Sequence, residues 1–365
     1  MIPTMMRVLH IIDTATAAEA LAQLSLLAGA DDVVASAGVA PRYRGLGPQI
    51  KQVHRPLGSA VLCGRRMRSL AGRVDLIHTW SLDATRAGCL AGRQTGRKPL
   101  VSIPNLPPKN TLSDMVKSLS RGRFHVGVPM QVARRALLGR GAPDEAVHVL
   151  PPAAELIDNK DERRLRTRRH LGLSDAERLI VAPAEMTPAA GHKIASWVHG
   201  ILRQILSDVR LLLPGGGPAR AGVKSFAATT GYDGDVFLTE DRIDLADALA
   251  AADVAVFLQR RDCGVSTLAA AMAAGLPIVC SATPEATQCV ADGRAALLVP
   301  PGNPHAAATA VLRLLEEPDL AKRLGRAAQQ QAQRFFSPDA CRRKLHRIYA
   351  VLTAGLTDKT DAPDH

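Results

Sequence analysis

The chain has 365 residues, of which 47% are hydrophobic and 22% charged, so it is long and apolar enough for two folded domains and is not a disordered protein. Its formal net charge of +12 suits phosphate-bearing ligands, but 3% aromatic residues and the absence of a nucleic-acid-binding motif argue against a nucleic-acid partner. No stretch approaches about 18 uncharged apolar residues, no secretory leader is visible and the cysteines lack metal-binding spacing, so we expect a reduced, cytoplasmic chain.

The first half alternates apolar runs of strand length with helical patterns, which is typical of a parallel sheet covered by helices. The predicted strands are Met6–Ile12, Asp32–Ala35, Val74–His78, Pro99–Ile103, Phe124–Val128 and Val147–Leu150. They predict a doubly wound, Rossmann-like α/β domain over residues 1–155.

Within this domain, residues 61–74 (VLCGRRMRSLAGRV) combine apolar positions with several arginines. A helix that packs on the sheet with a solvated basic face is the commoner explanation of such a pattern. Peripheral contact with an anionic membrane, at its inner face, is the alternative.

A charged stretch, residues 159–170, interrupts the pattern and predicts a linker over 156–175 that leads into a solvated helix. The second half then repeats the rhythm with strands predicted at Leu179–Ala184, Val209–Leu213, Asp235–Leu238, Asp253–Leu258, Pro277–Ser281 and Ala296–Val299. These predict a second doubly wound domain over 176–336. A helix over 337–355 is expected to pack back toward the N-terminal domain, and 356–365 to be a disordered tail.

Two such domains facing a cleft would bind ligands at the carboxyl ends of their strands. A short loop follows the strand that ends near Leu258, and the residues Gly264, Val265, Ser266 and Thr267 then begin a helix. The N–H groups and the positive dipole end of a helix start favour a phosphate. The alternative is that Ser266 or Thr267 only caps the helix.

A second glycine-rich turn, Gly215 and Gly216, follows the strand that ends at Leu213. Glycine there would let a donor phosphate or base pass close to the backbone, although a plain strand-to-helix turn is the alternative. No GKS or GKT tail follows, which excludes a P-loop. The acidic pair in Asp233-Gly234-Asp235 precedes a strand and is therefore interpreted as a turn, not a metal site.

The stretch from 251 to 315, with "STLAAAMAAGLPIV" and "ADGRAALLVPPGNP", resembles the donor-binding domain of retaining GT-B glycosyltransferases of group 1, also called family 4. Weaker similarity covers most of the chain. The resemblance implies that a sugar is transferred from a nucleotide-sugar donor to a polysaccharide or glycolipid acceptor, with retained anomeric configuration. It implies no cofactor and no metal ion.

The chain departs from the family pattern at several positions. Where the family carries two glutamates around the helix start, this chain has Asp262 and Ala270, and the resemblance implies that Asp262 reaches a sugar hydroxyl. Ala270 cannot hold the nucleotide ribose. The family's arginine and lysine after the first strand of the second domain fall on Glu185 and Ala190, which removes positive charge beside the diphosphate.

Three further residues are candidates for the site. His192 and Lys193 lie just downstream and would supply the missing cations, although an exposed first-turn pair is an equally good interpretation. His78 ends a strand where the resemblance implies contact with the transferring sugar; a buried structural histidine is the alternative. The losses at Glu185, Ala190 and Ala270 leave a second functional hypothesis, a non-catalytic GT-B pseudoenzyme that acts as a binding or scaffold protein.

Overall fold

The computed structural model describes residues 6–12, 18–29, 32–36, 53–54, 69–107, 109–240, 243–261 and 264–357. The predictions for Asp262, for residues 61–68 and for the tail beyond 357 lie outside these ranges. The chain divides into two compact units: Met1–Ala153 with Pro338–His365, and Ala154–Ser337.

The first unit is built on a parallel sheet with the strand order β3-β2-β1-β4-β5-β6-β7 in the described residues. Its strands are β1 (Val8–Ile12), β2 (Val33–Ser36), β3 (Val53–His54), β4 (Leu76–Thr79), β5 (Leu100–Ser102), β6 (His125–Val128) and β7 (Val147–Val149). The helices between them are α1 (Ala18–Leu27), α2 (Thr85–Thr95), α3 (Lys109–Ser120) and α4 (Gln131–Leu138). The apolar runs form strands because helices cover both faces of a parallel sheet.

The second unit has the parallel strand order β10-β9-β8-β11-β12-β13. Its strands are β8 (Arg178–Val181), β9 (Val209–Pro214), β10 (Val236–Glu240), β11 (Val254–Phe257), β12 (Ile278–Ser281) and β13 (Leu297–Val299). Its helices are α5 (Lys160–His170), α6 (His192–Arg203), α7 (Arg220–Thr229), α8 (Leu245–Ala251), α9 (Val265–Ala273), α10 (Pro284–Cys289), α11 (Pro304–Glu316) and α12 (Pro318–Phe335). The predicted α/β class with two doubly wound units is confirmed.

The last helix, α13 (Pro338–Thr357), belongs to the first unit. Its buried residues Cys341, Leu345, Ile348 and Tyr349 share a core with residues of α1, β1 and β4. The chain therefore returns to the first unit after completing the second.

The segment predicted as a linker is largely helix α5 and belongs to the second unit. Arg163 and Arg166 both pair with Asp247 at 2.7 Å, and Arg164 pairs with Asp253 at 2.6 Å. The basic run is thus a helix fixed to α8 and to the start of β11 by ion pairs, which the local charge pattern does not reveal. Asp233–Asp235 forms a 3-10 turn before β10, as predicted.

Each sheet has one place where the order of connection reverses. In the second unit, the chain runs from β8 to β9 and β10 on one side and continues from β11 to β13 on the other. Ligands of open α/β sheets gather outside the carboxyl ends of the strands at such a point. Among the described residues, no helix is both long enough and apolar enough to cross a bilayer.

Candidate functional site

The candidate site is formed by the loops that leave the neighbouring strands β8 and β11 of the second unit. These strands pair in parallel, so their carboxyl ends lie at the same edge of the sheet. The loop after β8 leads into helix α6, and the loop after β11 leads into helix α9. Two helix N-termini therefore follow the two strands that flank the reversal point.

The first of these helix starts depends on Gly191. This residue has a φ of +80° and precedes α6. A Cβ atom here would overlap the carbonyl group of Leu258 and lie 2.9 Å from the backbone nitrogen of Gln259. Only glycine permits both this conformation and this close approach, which brings the start of α6 against the end of the β11 segment.

The second helix start, that of α9, begins at Gly264. Gly264 is in the left-handed region, with φ 58° and ψ 69°, and no side chain caps α9. The first intrahelical bond runs from Leu268 N to Gly264 O at 3.0 Å. The N–H groups of residues 265–267 precede that bond and lie at the positive end of the helix dipole. Thr267 donates its hydroxyl to Gly264 O at 2.9 Å, so its side chain is engaged locally.

His192, the first residue of α6, is buried next to the backbone of Ala182 and Ala184, and its ring makes no hydrogen bond of standard geometry there. It is 2% exposed, and neither ring nitrogen has such a bond within the described structure. Burial lowers the pKa of His192 to about 4, and the backbone at Ala182 and Ala184 offsets only part of that effect. The imidazole is therefore neutral at pH 7, so it does not provide the cation that the sequence analysis assigned to it. It retains one hydrogen-bond donor and one acceptor.

Lys193 is exposed and leans toward α7. Its Nζ lies 5.9 Å from the centroid of the Phe226 ring. Lys193, His192 and Arg260 line one cavity of about 320 Å³ in the second unit. The structure thus adds an exposed cation from the loop after β11, Arg260, to the predicted pair.

The glycine turn after β9 is held by the backbone of the loop after β8. Met186 N donates to Gly216 O at 2.8 Å, and Ala219 N donates to Met186 O at 2.7 Å. A Cβ on Gly217 would lie 2.6 Å from Met186 O, whereas a Cβ on Gly216 would meet nothing. Gly217 is required by packing, which leaves Gly215 and Gly216 as the predicted positions for a ligand's approach.

His78 lies in the interior of the first unit. It is 0% exposed, and its ring nitrogens are 2.6 Å from the Tyr349 hydroxyl and 2.7 Å from the Ser102 hydroxyl. Its ring stacks on Trp80 with centroids 4.3 Å apart. Burial, reinforced by the nearby His10, lowers the pKa of His78 well below its usual value. These contacts correspond to the structural alternative; contact with a sugar stays a prediction.

Residues 178–317, which contain both helix starts, match the family described as glycosyl transferases group 1. The GDP-mannose-dependent alpha-(1-6)-phosphatidylinositol monomannoside mannosyltransferase of Mycolicibacterium smegmatis is 25% identical over 73% of this chain and 74% of its own length. The D-inositol 3-phosphate glycosyltransferase of Streptomyces bingchenggensis is 29% identical over 53% of this chain and 46% of its own length.

Solved structures share the fold over nearly the whole chain. Anabaena Alr3699/HepE, crystallised in complex with UDP-glucose, has a TM-score of 0.83 at 18% identity and covers 96% of this chain and 100% of its own. A glycosyltransferase from Rickettsia africae has a TM-score of 0.77 at 16% identity, with 95% and 98% covered. The second unit of this chain thus resembles the group 1 glycosyltransferases over residues 178–317, and the whole chain shares the fold of solved glycosyltransferase structures.

The structure also shows where the chain departs from the pattern of the group 1 glycosyltransferases. Glu185 is exposed beside the reversal point, and Ala270 is partly exposed on α9. Helix α9 itself is intact, with Ala269 and Ala271 buried against the core. The alanines therefore preserve the packing of the helix while the charged side chains of the family pattern are absent.

The sequence pattern did not predict a role for Arg260. The sequence did contain a hint of this role, because Arg260 lies between strand β11 and the predicted helix start at Gly264. What the sequence could not show is that the loops after β8 and β11 meet, which places Arg260 in the same cavity as Lys193. The structure does not include Gly215, Gly216 or Gly264–Thr267 among the residues that line that cavity.

Proposed function

We propose that this glycosyltransferase transfers a sugar from a nucleotide-sugar donor to a glycan or lipid-linked acceptor, with retained anomeric configuration and without a metal ion. The relatives support the donor class, since one is named for GDP-mannose and HepE was crystallised with UDP-glucose. A lipid-linked acceptor would bring the chain to an anionic membrane face.

The observation that carries the proposal is the pair of helix starts at the reversal point of the second sheet, together with two exposed cations. Each helix start contributes about half a positive charge. With Lys193 and Arg260 the positive charge is about +3, and about +2 remains once the carboxylate of Glu185 is counted, against the negative charge of a diphosphate. This local charge offsets the positions where the family pattern is lost, Glu185 and Ala190.

In the proposed reaction, these groups stabilise the charge that develops on the leaving diphosphate. The N–H groups of residues 265–267 serve the same purpose as a preorganised oxyanion site. His192 is neutral and would bind as a hydrogen-bond donor or acceptor. Asp262 is the proposed partner of a sugar hydroxyl, and Gly215 and Gly216 the proposed route past the backbone.

The donor is tested with the full-length protein and a panel of UDP, GDP and ADP sugars. We expect one nucleotide class at about 100 times its Kd to increase the free energy of unfolding by about 2.7 kcal/mol. Transfer to lipid-linked and glycan acceptors would then be followed by NMR of the product anomer. No stabilisation by any member of the panel at millimolar concentration would overturn the proposal. Binding without turnover on any acceptor would favour the scaffold alternative.

The cations are tested by Lys193→Glu and Arg260→Glu. Each reversal replaces an attraction by a repulsion next to the diphosphate, so we expect donor Kd to rise about tenfold or more. Arg169→Glu is the matched control, because Arg169 is an exposed arginine on α5 of the same unit. Equal effects of the three reversals would remove Lys193 and Arg260 from the site. Turnover unchanged by EDTA is the expected result for metal independence.

A further inference from the structure

A second cavity, of about 720 Å³, lies in the first unit at the edge of the sheet where strands β5 and β6 begin. It is lined by one face of α2 along the whole length of the helix, by the last turn of α3 and by the segments that follow both helices. Its size is in the range of pockets that hold phosphorylated small molecules. The carboxyl ends of the strands, where the fold usually binds its substrates, are at the opposite edge.

The cavity is strongly basic. The cationic residues that line it are Arg86, Arg93, Arg97, Lys98, Arg121 and Arg123. No aspartate or glutamate is among its described lining residues. The ion pairs described in the first unit involve other side chains, those of Lys117, Arg134, Arg342 and His10.

Neutralisation of helix dipoles explains only a small part of this charge. The C-termini of α2 and α3 each carry about half a negative charge, about −1 in total, against six formal positive charges. Arg97 is additionally held by backbone carbonyl groups, since its Nε and Nη1 donate to Asp75 O at 3.1 Å and Ala71 O at 3.3 Å. For the remaining cations, the described residues offer no comparable anionic partner.

The second unit organises its arginines differently. Arg178 lies 2.5 Å from Asp208, and Arg203 and Arg210 lie 2.7 Å and 3.2 Å from Asp235. Such pairs cancel charge locally, whereas the cavity concentrates like charges that repel one another. An anionic ligand that binds in the cavity would relieve the repulsion between these cationic side chains.

The frame of the cavity is rigid. Gly96 has a φ of +67°, and its N–H, like that of Arg97, donates to Gly92 O. Gly122 has a φ of +61°, and a Cβ there would lie 3.1 Å from Nζ of Lys98. These closed helix ends fix the backbone that carries Arg93, Lys98 and Arg121, so the ordering that accompanies ligand binding falls on the side chains.

We propose that this cavity binds a ligand with several phosphate groups, at a site of the first unit that is separate from the donor site of the second. Two sources supply this chemistry: a soluble polyphosphorylated compound and the headgroups of anionic phospholipids. Leu90, which is 53% exposed and lines the same cavity, adds an apolar contact for either source.

The soluble source is tested by calorimetric titration of the full-length protein with tripolyphosphate. The variant Arg93→Glu/Arg121→Glu reverses two exposed charges of the cavity. Its matched control is Arg169→Glu/Arg326→Glu, which makes the same charge change on exposed arginines of the second unit. We expect the cavity variant to weaken binding at least about tenfold and the control to change it less than about twofold.

The lipid source is tested by flotation with phosphatidylcholine vesicles that contain phosphatidylglycerol. If the cavity variant loses flotation but the control variant does not, the proposal is supported with headgroups as the ligand. If the cavity variant loses tripolyphosphate binding and keeps flotation, the proposal is supported with a soluble ligand. Equal losses in the cavity and control variants, or no binding of either probe to the unmodified protein, would overturn it. Arg93→Gln/Arg121→Gln and thermal unfolding of all variants separate lost binding from lost folding.

Discussion

Two buried histidines, His78 in the first unit and His192 in the second, differ in what surrounds them. His78 has a hydroxyl within 2.7 Å of each ring nitrogen, and its ring stacks on Trp80. His192 is as deeply buried, but its nitrogens make no hydrogen bond of standard geometry within the described residues and have only the backbone of Ala182 and Ala184 nearby. Since an unsatisfied buried polar group costs stability, the first site is organised for folding and the second retains capacity for a ligand.

A network of buried polar and aromatic side chains surrounds His78, and nothing similar surrounds His192 within the described residues. Trp80 Nε1 donates to His10 Nδ1 at 3.0 Å, which requires the proton of His10 to be on Nε2. That nitrogen lies 3.1 Å from Asp32 Oδ2. Burial raises the pKa of Tyr349 well above its usual value, so the partner of His78 on α13 is a neutral phenol. The network joins the returning helix to the sheet and leaves no polar atom of His78 for another role.

The largest effect is expected from His78→Ala. This change removes the ring, its stacking and two hydrogen bonds, so we expect unfolding by urea to show a loss of about 3–5 kcal/mol. Unchanged stability with lost transferase activity would contradict the structural interpretation and favour contact with the sugar.

The next effect is the acid sensitivity of His192. Because burial lowers its folded-state pKa from 6.5 to about 4, the unfolded state binds more protons between these values. Stability therefore falls as the pH falls through that window, by about 3 kcal/mol at pH 4 for this residue. Unfolding free energies of the wild type and His192→Leu, measured from pH 7 to pH 4, should diverge by this amount. Parallel curves would show that His192 is solvated or partnered.

A smaller effect is expected from Tyr349→Phe. It removes one hydroxyl and leaves one nitrogen of His78 unsatisfied while the aromatic packing stays, so we expect a loss of about 1–2 kcal/mol. A double-mutant cycle with His78→Ala measures the coupling between α13 and the sheet. Additive effects would contradict the hydrogen bond.

The smallest effect at pH 7 is expected from His192→Leu. Leucine has a similar volume and no polar atom to desolvate, so stability should change by less than about 1 kcal/mol. Donor affinity, measured on the same variant, should weaken if His192 bonds the ligand. A stability loss as large as that of His78→Ala would erase the distinction between the two histidines.

Much of the architecture could be predicted from the sequence because each buried parallel strand is a short apolar run between helical patterns. Every predicted strand overlaps an observed one, and the two-residue strand Val53–His54 was missed because it is too short to show a period. The segment 159–170 was interpreted as a linker because a local charge pattern does not show that Asp247 and Asp253 pair with it.

For the site, the sequence by itself determined the resemblance to group 1 glycosyltransferases, the helix start at Gly264 and the loss of charge at Glu185, Ala190 and Ala270. These are properties of residue order. Only the tertiary structure decided that His192 is buried and neutral, and that Lys193 and Arg260 line one cavity. Burial and the meeting of two loops depend on contacts between residues distant along the chain, and single-sequence patterns do not encode those contacts.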